Sequence, residues 1–225
     1  MDYKDCYKIF RKVVNYTICN RNRTFATINA VEFIIKNKID GDLIECGVYK
    51  GGQIMAMILT LNQLNEERNI YLYDTFDGMP RPEDWEKRLI KNSPKAIEKF
   101  NRYKIDNHRS SWCKASIEEV EKNISTIKYN SNKVHFIKGM VEDTLPKSNH
   151  EKIALLRLDT DFYFSTKIEL EMLYPLLDRK GILIVDDYGH WSGAKKAVDE
   201  YIFDNKLVVN IKADDGTGVT ITRLE

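Results

Sequence analysis

No apolar run in the sequence approaches the roughly 20 residues needed to cross a membrane as a helix. The opening MDYKDCYKIFRK carries charge where an export signal needs an apolar core. A cytoplasmic chain without a membrane partner is therefore expected. Cysteine is scarce, and Cys6, Cys19, Cys46 and Cys113 show no Cys-x-x-Cys spacing. That argues against a zinc ribbon or a disulfide framework and for free thiols in a reducing compartment. The Asn-x-Ser/Thr triplets at Asn15, Asn22 and Asn123 are accordingly read as chance. An excess of either charge is also lacking: 35 basic and 34 acidic residues leave a net +1. No bulk field favours nucleic acid. Repeats and low-complexity segments are absent.

At 225 residues and 43% hydrophobic content, the chain has the size and core of one α/β domain. Its organising stretch runs from Ala154 to Gly189. Two short apolar runs, Ala154–Leu158 and Ile182–Val185, each end in carboxylates: Asp159 and Asp161 after the first, Asp186 and Asp187 after the second. A helically spaced segment with a Pro-Leu-Leu ending lies between them. Strand, crossover helix and strand make a parallel pair, whose carboxyl ends open onto a ligand crevice. Four acids at one sheet edge repel one another unless a cation, a shared proton or a positive ligand offsets the repulsion.

The same unit recurs upstream. Leu43–Val48 reads as a strand, followed by the turn glycines Gly47, Gly51 and Gly52 and a helix over Gln53–Leu64. Glycines there let a ligand approach the helix N-terminus, and Glu45 sits just before the turn. The spacing misses the G-x-G-x-x-G fingerprint. Ile70–Tyr73 is a second strand ending at Asp74, which is placed to accept hydrogen bonds from ribose hydroxyls; an Asx turn is the alternative. A helix over Ser116–Ile127 has Ser116 as N-cap and Glu119 at the capping-box position. Val134–Ile137 is the third strand. After Asp187 comes a helix over Gly193–Phe203 with Ala194, Ala197, Val198 and Tyr201 inward. Leu207–Ile211 and Val219–Ile221 flank a turn as an antiparallel hairpin.

Residues 1–40 read as a helical segment serving substrate or oligomer contacts, with an apolar stripe on Thr24–Lys36 (Phe25, Ile28, Val31, Ile34 and Ile35). Residues 41–225 form the main domain. Within it, residues 79–108 break the pattern with prolines at 80, 82 and 94 and much charge. So long a connection is read as a mobile lid, with a solvated surface insertion as the alternative. His190 is read equally as a substrate contact or a surface histidine, and Trp112 and Trp191 equally as pocket walls or packing.

Five parallel strands, a terminal hairpin, a Gly-rich first turn and an acid ending the second strand suggest a Rossmann-like class I methyltransferase. Its sheet would be seven-stranded and mostly parallel, with helices on both faces. The segments GDLIECGVYKGG, LYDTFDGMP, GMVEDTLP, LRLDTDFYFST and DDYGHWSGAKKAVDEY together resemble the macrocin O-methyltransferase family from about residue 40 onward. The resemblance implies S-adenosylmethionine as methyl donor, Mg2+ as a cofactor, a small-molecule acceptor with a sugar hydroxyl, and a homo-oligomer. It implies Asp159, Asp186 and Asp187 as metal ligands and Asp161 as general base. A metal-bound hydroxyl is easier to deprotonate, and a neighbouring carboxylate takes the proton. The donor would contact Glu45, Gly47, Tyr49, Gly51, Gly52, Asp74, Thr75, Gly139, Met140 and Asp159, with Glu142 or Asp143 at the adenine amine. A catechol-like diol acceptor and a non-catalytic nucleotide-binding scaffold remain the competing readings.

Overall fold

A computed structural model of the chain describes residues 1–90 and 93–224. In chain order the helices are α1 (Tyr3–Val13), α2 (Arg21–Lys36), α3 (Gly52–Gln63), α4 (Ala96–Arg102), α5 (Ile117–Ser125), α6 (Val141–Thr144), α7 (Tyr163–Leu173) and α8 (Ser192–Asp204). The strands are β1 (Asp42–Cys46), β2 (Ile70–Asp74), β3 (Val134–Lys138), β4 (Ile153–Leu158), β5 (Leu177–Val185), β6 (Val209–Ala213) and β7 (Val219–Arg223). They form a seven-stranded sheet in the order β3-β2-β1-β4-β5-β7-β6. The first five strands run parallel; β7 is antiparallel to β5 and closes a hairpin with β6. The class I methyltransferase architecture expected from the sequence is thus present.

The register explains both the burial and the site. Leu43, Leu155 and Ile182 lie abreast on β1, β4 and β5, and so do Ile44, Leu156 and Leu183. Side chains alternate faces along a strand. The first row therefore packs with α2 and α3 through Ile28, Val31, Ile34, Ile54 and Ile58. The second packs with α7 and α8 through Leu170, Leu173 and Val198. A sheet covered on both faces needs strands apolar throughout, and β4 is buried along its whole length. The next row is different: Glu45 on β1 lies abreast of Arg157 on β4.

Elements differ from the expected ones mainly at their edges. The Ser116 hydroxyl does cap α5, accepting from the Glu119 amide at 3.2 Å. β5 starts at Leu177, five residues before the apolar run, because Asp178, Arg179 and Lys180 lie in its partly exposed first half. On α2, Phe25 is only half-buried and stacks edge-on against Tyr3 and Phe10 of α1. Helix α4 lies inside the insertion, where no periodicity announced it; it spans seven residues and buries only Ala96 and Phe100.

Candidate active site

Chain order places β2 and β3 on one side of β1 and β4 and β5 on the other, so the crossover direction reverses between β1 and β4. Crevices at such switch points hold ligands in α/β proteins. Here the ladder extends one bond beyond the strands: the amides of Gly47, Asp159, Asp186 and Gly139 donate to Tyr73, Cys46, Leu158 and Asp74. Those bonds fix where the following side chains emerge. Gly47 (φ +82°) passes so close to β4 that a Cβ there would run into the Asp159 carbonyl. Only glycine takes that backbone at that distance without strain.

One cavity opens over these strand ends. Glu45, Gly47, Tyr49, Asp74, Thr75, Gly139, Met140, Asp159, Asp161, Asp186 and Asp187 all line it, as do Glu142, Trp112, His190 and Trp191. Gly51, Gly52 and Asp143 do not line it. A Cβ on Gly51 would meet Val120, and one on Gly52 would meet the Tyr16 carbonyl, so their smallness serves packing behind the turn. Asp74 braces the turn: its carboxylate accepts from the amides of Val48 at 2.6 Å, Tyr49 at 3.2 Å and Phe76 at 2.7 Å. It therefore acts as an Asx-type brace while lining the cavity.

Glu45, Asp159 and Asp186 are held by two arginines that sequence reasoning passed over. Arg157 is fully buried; its guanidinium donates to Glu45 and to Asp159, each at 2.7 Å, and also to Asp186. Arg23 of α2 reaches Asp186 as well, and lies 3.2 Å from Asp215. The thiol of Cys19 completes this layer, 3.3 Å from Asp186 and 3.1 Å from Arg157. A lone arginine in the otherwise apolar ALLRL run was the available signal, because a buried guanidinium must be paired. Arg23 and Cys19, remote in sequence, gave none.

Burial governs the titration of this cluster. It pushes Glu45 up to about 8 despite Arg157, and Asp161 up to about 7. Asp186 and Asp187 are also raised, by burial first and neighbouring aspartates next. Asp161, in a left-handed backbone at φ 70°, has its carboxylate beside that of Asp187. Of the aspartates, Asp159, Asp161 and Asp187 bring ligand oxygens within 4.8 Å of one another. Asp159 and Asp186 do so with Cys19. The expected ligand set Asp159, Asp186 and Asp187 is thus divided between two groupings that share Asp159, and Asp186 is taken up by the two arginines. Hard carboxylate oxygens suit magnesium. Asp187 Oδ2 and Glu45 Oε2, buried without a hydrogen-bond partner, leave acceptor capacity for a cation on each side of the cluster.

Met79, Pro80, Arg88 and Lys99 of the 79–108 insertion line one side of the cavity, its roof. Residues 86–88 of the insertion are tied to the strand-end loops, while residues 101–109 are largely exposed. Buried Glu86 accepts from the Tyr163 amide at 2.6 Å, supplying a cap that α7 lacks from its own N-cap residue. Arg88 Nε donates to His190 Nε2 at 2.7 Å, and Lys87 exchanges two hydrogen bonds with Ser192. Ala96, Trp112, Phe162 and Trp191 make a small apolar cluster beneath the roof. His190 is both a pocket and a packing residue: it stacks on Trp191, and burial with Arg88 nearby drops it to about 4. It is neutral at physiological pH, with Nδ1 3.6 Å from Asp187.

The chain matches the family model described as macrocin-O-methyltransferase (TylF) over residues 11–223. It is 35% identical over 173 residues to demethyldecarbamoylnovobiocin O-methyltransferase of Streptomyces niveus, covering 76% of this chain and 62% of that protein. It is 30% identical over 190 residues to a rhamnosyl-tetracenomycin C 4'-O-methyltransferase of Streptomyces olivaceus, covering 84% and 68%. The solved structure of the O-methyltransferase NovP superposes with a TM-score of 0.79 at 30% identity, covering 93% of this chain and 83% of that one. The match spans less than two thirds of the S. niveus protein's length.

Proposed function

The chain belongs to the macrocin O-methyltransferase family, and on that premise we propose that it transfers a methyl group from S-adenosylmethionine to a hydroxyl of a sugar or glycosylated small molecule. The observation that carries this reading is the single cavity in which the 47–49 turn, Asp74 and the strand-end aspartates meet. In this reading the donor's ammonium lies toward the unpaired Glu45 oxygen. Its ribose hydroxyls lie at Asp74, and its adenine lies against Gly139 and Met140.

The acceptor hydroxyl then sits by Asp159, Asp161 and Asp187. Asp159 and Asp187 would hold Mg2+, with Asp186 as a third ligand only if one arginine releases it. A magnesium ion bound there supplies positive charge that lowers the pKa of a neighbouring hydroxyl. Asp161 takes the hydroxyl proton as the oxygen attacks the methyl carbon. The sulfonium leaves as a neutral thioether, so alignment of oxygen, carbon and sulfur supplies much of the rate. Arg157 contributes by fixing Glu45 on the donor side and Asp159 on the acceptor side with one guanidinium. The insertion covers the reacting groups and limits access of water.

The test is a panel of sugars, glycosides and diols incubated with donor and Mg2+, read by mass spectrometry. Gain of one methyl on a sugar hydroxyl is expected. Methylation of catechol-like diols alone would replace the acceptor class. Donor binding without methylation of any hydroxyl would favour the scaffold reading.

A further inference from the structure

Two cations line the roofed end of the cavity without a carboxylate partner among the described residues. Arg88 and Lys99 come from the insertion, and both are half-buried. Arg88 Cζ stands 5.5 Å from the Trp191 ring centre, and Lys99 Nζ stands 4.2 Å from that of Trp112. The two tryptophan rings are themselves 5.8 Å apart, so both cations rest on one aromatic block. Among the described residues, the Arg88 side chain hydrogen-bonds to the neutral imidazole of His190 alone. Among the described residues, neither cation has a carboxylate within ion-pair distance.

The other cations in and just after the insertion are handled differently. Arg81 pairs with Asp84, Arg109 with Asp77 and Asp106, and Lys114 with Asp77. Lys87, Lys95 and Arg102 are exposed and need no partner. Of the strand-end acids, Asp159 and Asp186 already have Arg157 or Arg23, whereas Asp161 and Asp187 have no arginine and Lys99 acts on Asp161 only from beyond ion-pair distance. A cation drawn partly out of water onto an aromatic face keeps an unmet demand for an anion. A neutral sugar would leave that demand standing.

We propose that the acceptor is a sugar carrying phosphate, with Arg88 and Lys99 receiving the phosphate oxygens; the proposal rests on the reading of this cavity as a sugar O-methyltransferase site. Guanidinium and ammonium together suit a phosphate or diphosphate, the first by its donor fork and the second as a point charge. The insertion is then the segment that selects an activated or phosphorylated sugar over a finished neutral glycoside.

The test is calorimetry on protein saturated with S-adenosylhomocysteine, titrated separately with inorganic phosphate, pyrophosphate and uridine diphosphate. Saturable pyrophosphate binding is expected, weakened about tenfold or more by Arg88→Gln and again by Lys99→Gln. An Arg88→Lys, Lys99→Arg double variant should retain most of it. Uridine diphosphate binding more tightly than pyrophosphate would assign the phosphate to a nucleotide-linked sugar. Equal binding of phosphate and pyrophosphate would assign it to a sugar monophosphate. Absence of binding, or binding unchanged in the Gln variants, overturns the proposal while leaving the methyltransferase reading intact. Failure of S-adenosylhomocysteine itself to bind overturns both. If Lys99 served only to offset Asp161, Lys99→Gln would lower kcat alone and leave pyrophosphate affinity unchanged.

Discussion

Replacing Arg157 by methionine tests how the acid cluster is held. The side chain is fully buried and joins three carboxylates. Removing one partner of a buried ion pair costs about 3–5 kcal/mol, because the other partner stays buried and unpaired. The lower end applies here: Asp186 keeps Arg23, and Asp159 retains a quarter of its side-chain exposure. Glu45, 1% exposed, loses the one ion-pair partner it has among the described residues. Burial already raises Glu45 to about 8, so below that pH it sheds its charge by taking up a proton.

The expected cost is therefore about 3 kcal/mol at pH 8.5 and smaller at pH 6 by up to about 1 kcal/mol, because Glu45 titrates near 8 beside Arg157 and higher still without it. Urea unfolding of the variant and the wild type at pH 8.5 and pH 6 measures both quantities. The variant should lose more stability than the wild type as pH rises. Its affinity for S-adenosylhomocysteine should fall as well, since Glu45 is no longer held. A cost below about 1 kcal/mol at pH 8.5, or a cost equal at the two pH values, would refute the reasoning.

Asp161→Asn should leave donor affinity within about twofold and lower kcat by roughly 10²–10⁴; calorimetry and steady-state kinetics separate the two, and near-normal turnover would remove Asp161 as base. Glu45, Asp161, Asp186 and Asp187 are all held above their ordinary values, so the folded protein binds more protons than the unfolded chain between about pH 4 and 7. Stability without a divalent ion should accordingly fall as pH rises through that window. Magnesium should raise the melting temperature more at pH 8 than at pH 5, and melting indifferent to magnesium at both would speak against a cation site among these acids. Glu86→Gln weakens the charge-assisted cap on the Tyr163 amide, at a cost of about 1 kcal/mol, and should expose residues 79–108 to limited proteolysis; unchanged cleavage would show that this contact does not fasten the roof.

What the sequence disclosed follows from range. Parallel strands buried on both faces leave continuous apolar runs, so β1, β2, β4 and the second half of β5 were legible, together with the acids that end them. Ser116 was legible because an N-cap is settled within four residues. Asp159, Asp161 and Asp187 gather as the strand-end pattern implied, but the sharing of Asp186 between Arg23 and Arg157 depends on α2 packing over β4 and β5. No local pattern encodes that. The insertion hid α4 for the same reason: Glu86, Arg88 and Ala96 have partners on other elements, and the segment's own periodicity is slight. Gly51 and Gly52 looked like ligand glycines because the turn needs them, yet their neighbours are α5 and the α1–α2 loop.

The most direct measurement is a crystal structure with S-adenosylhomocysteine and Mg2+ bound. The account predicts the ammonium at Glu45, the ribose at Asp74 and the sulfur facing Asp161, with the ion on Asp159 and Asp187. A donor lying elsewhere, or an ion that leaves those two aspartates untouched, would contradict it.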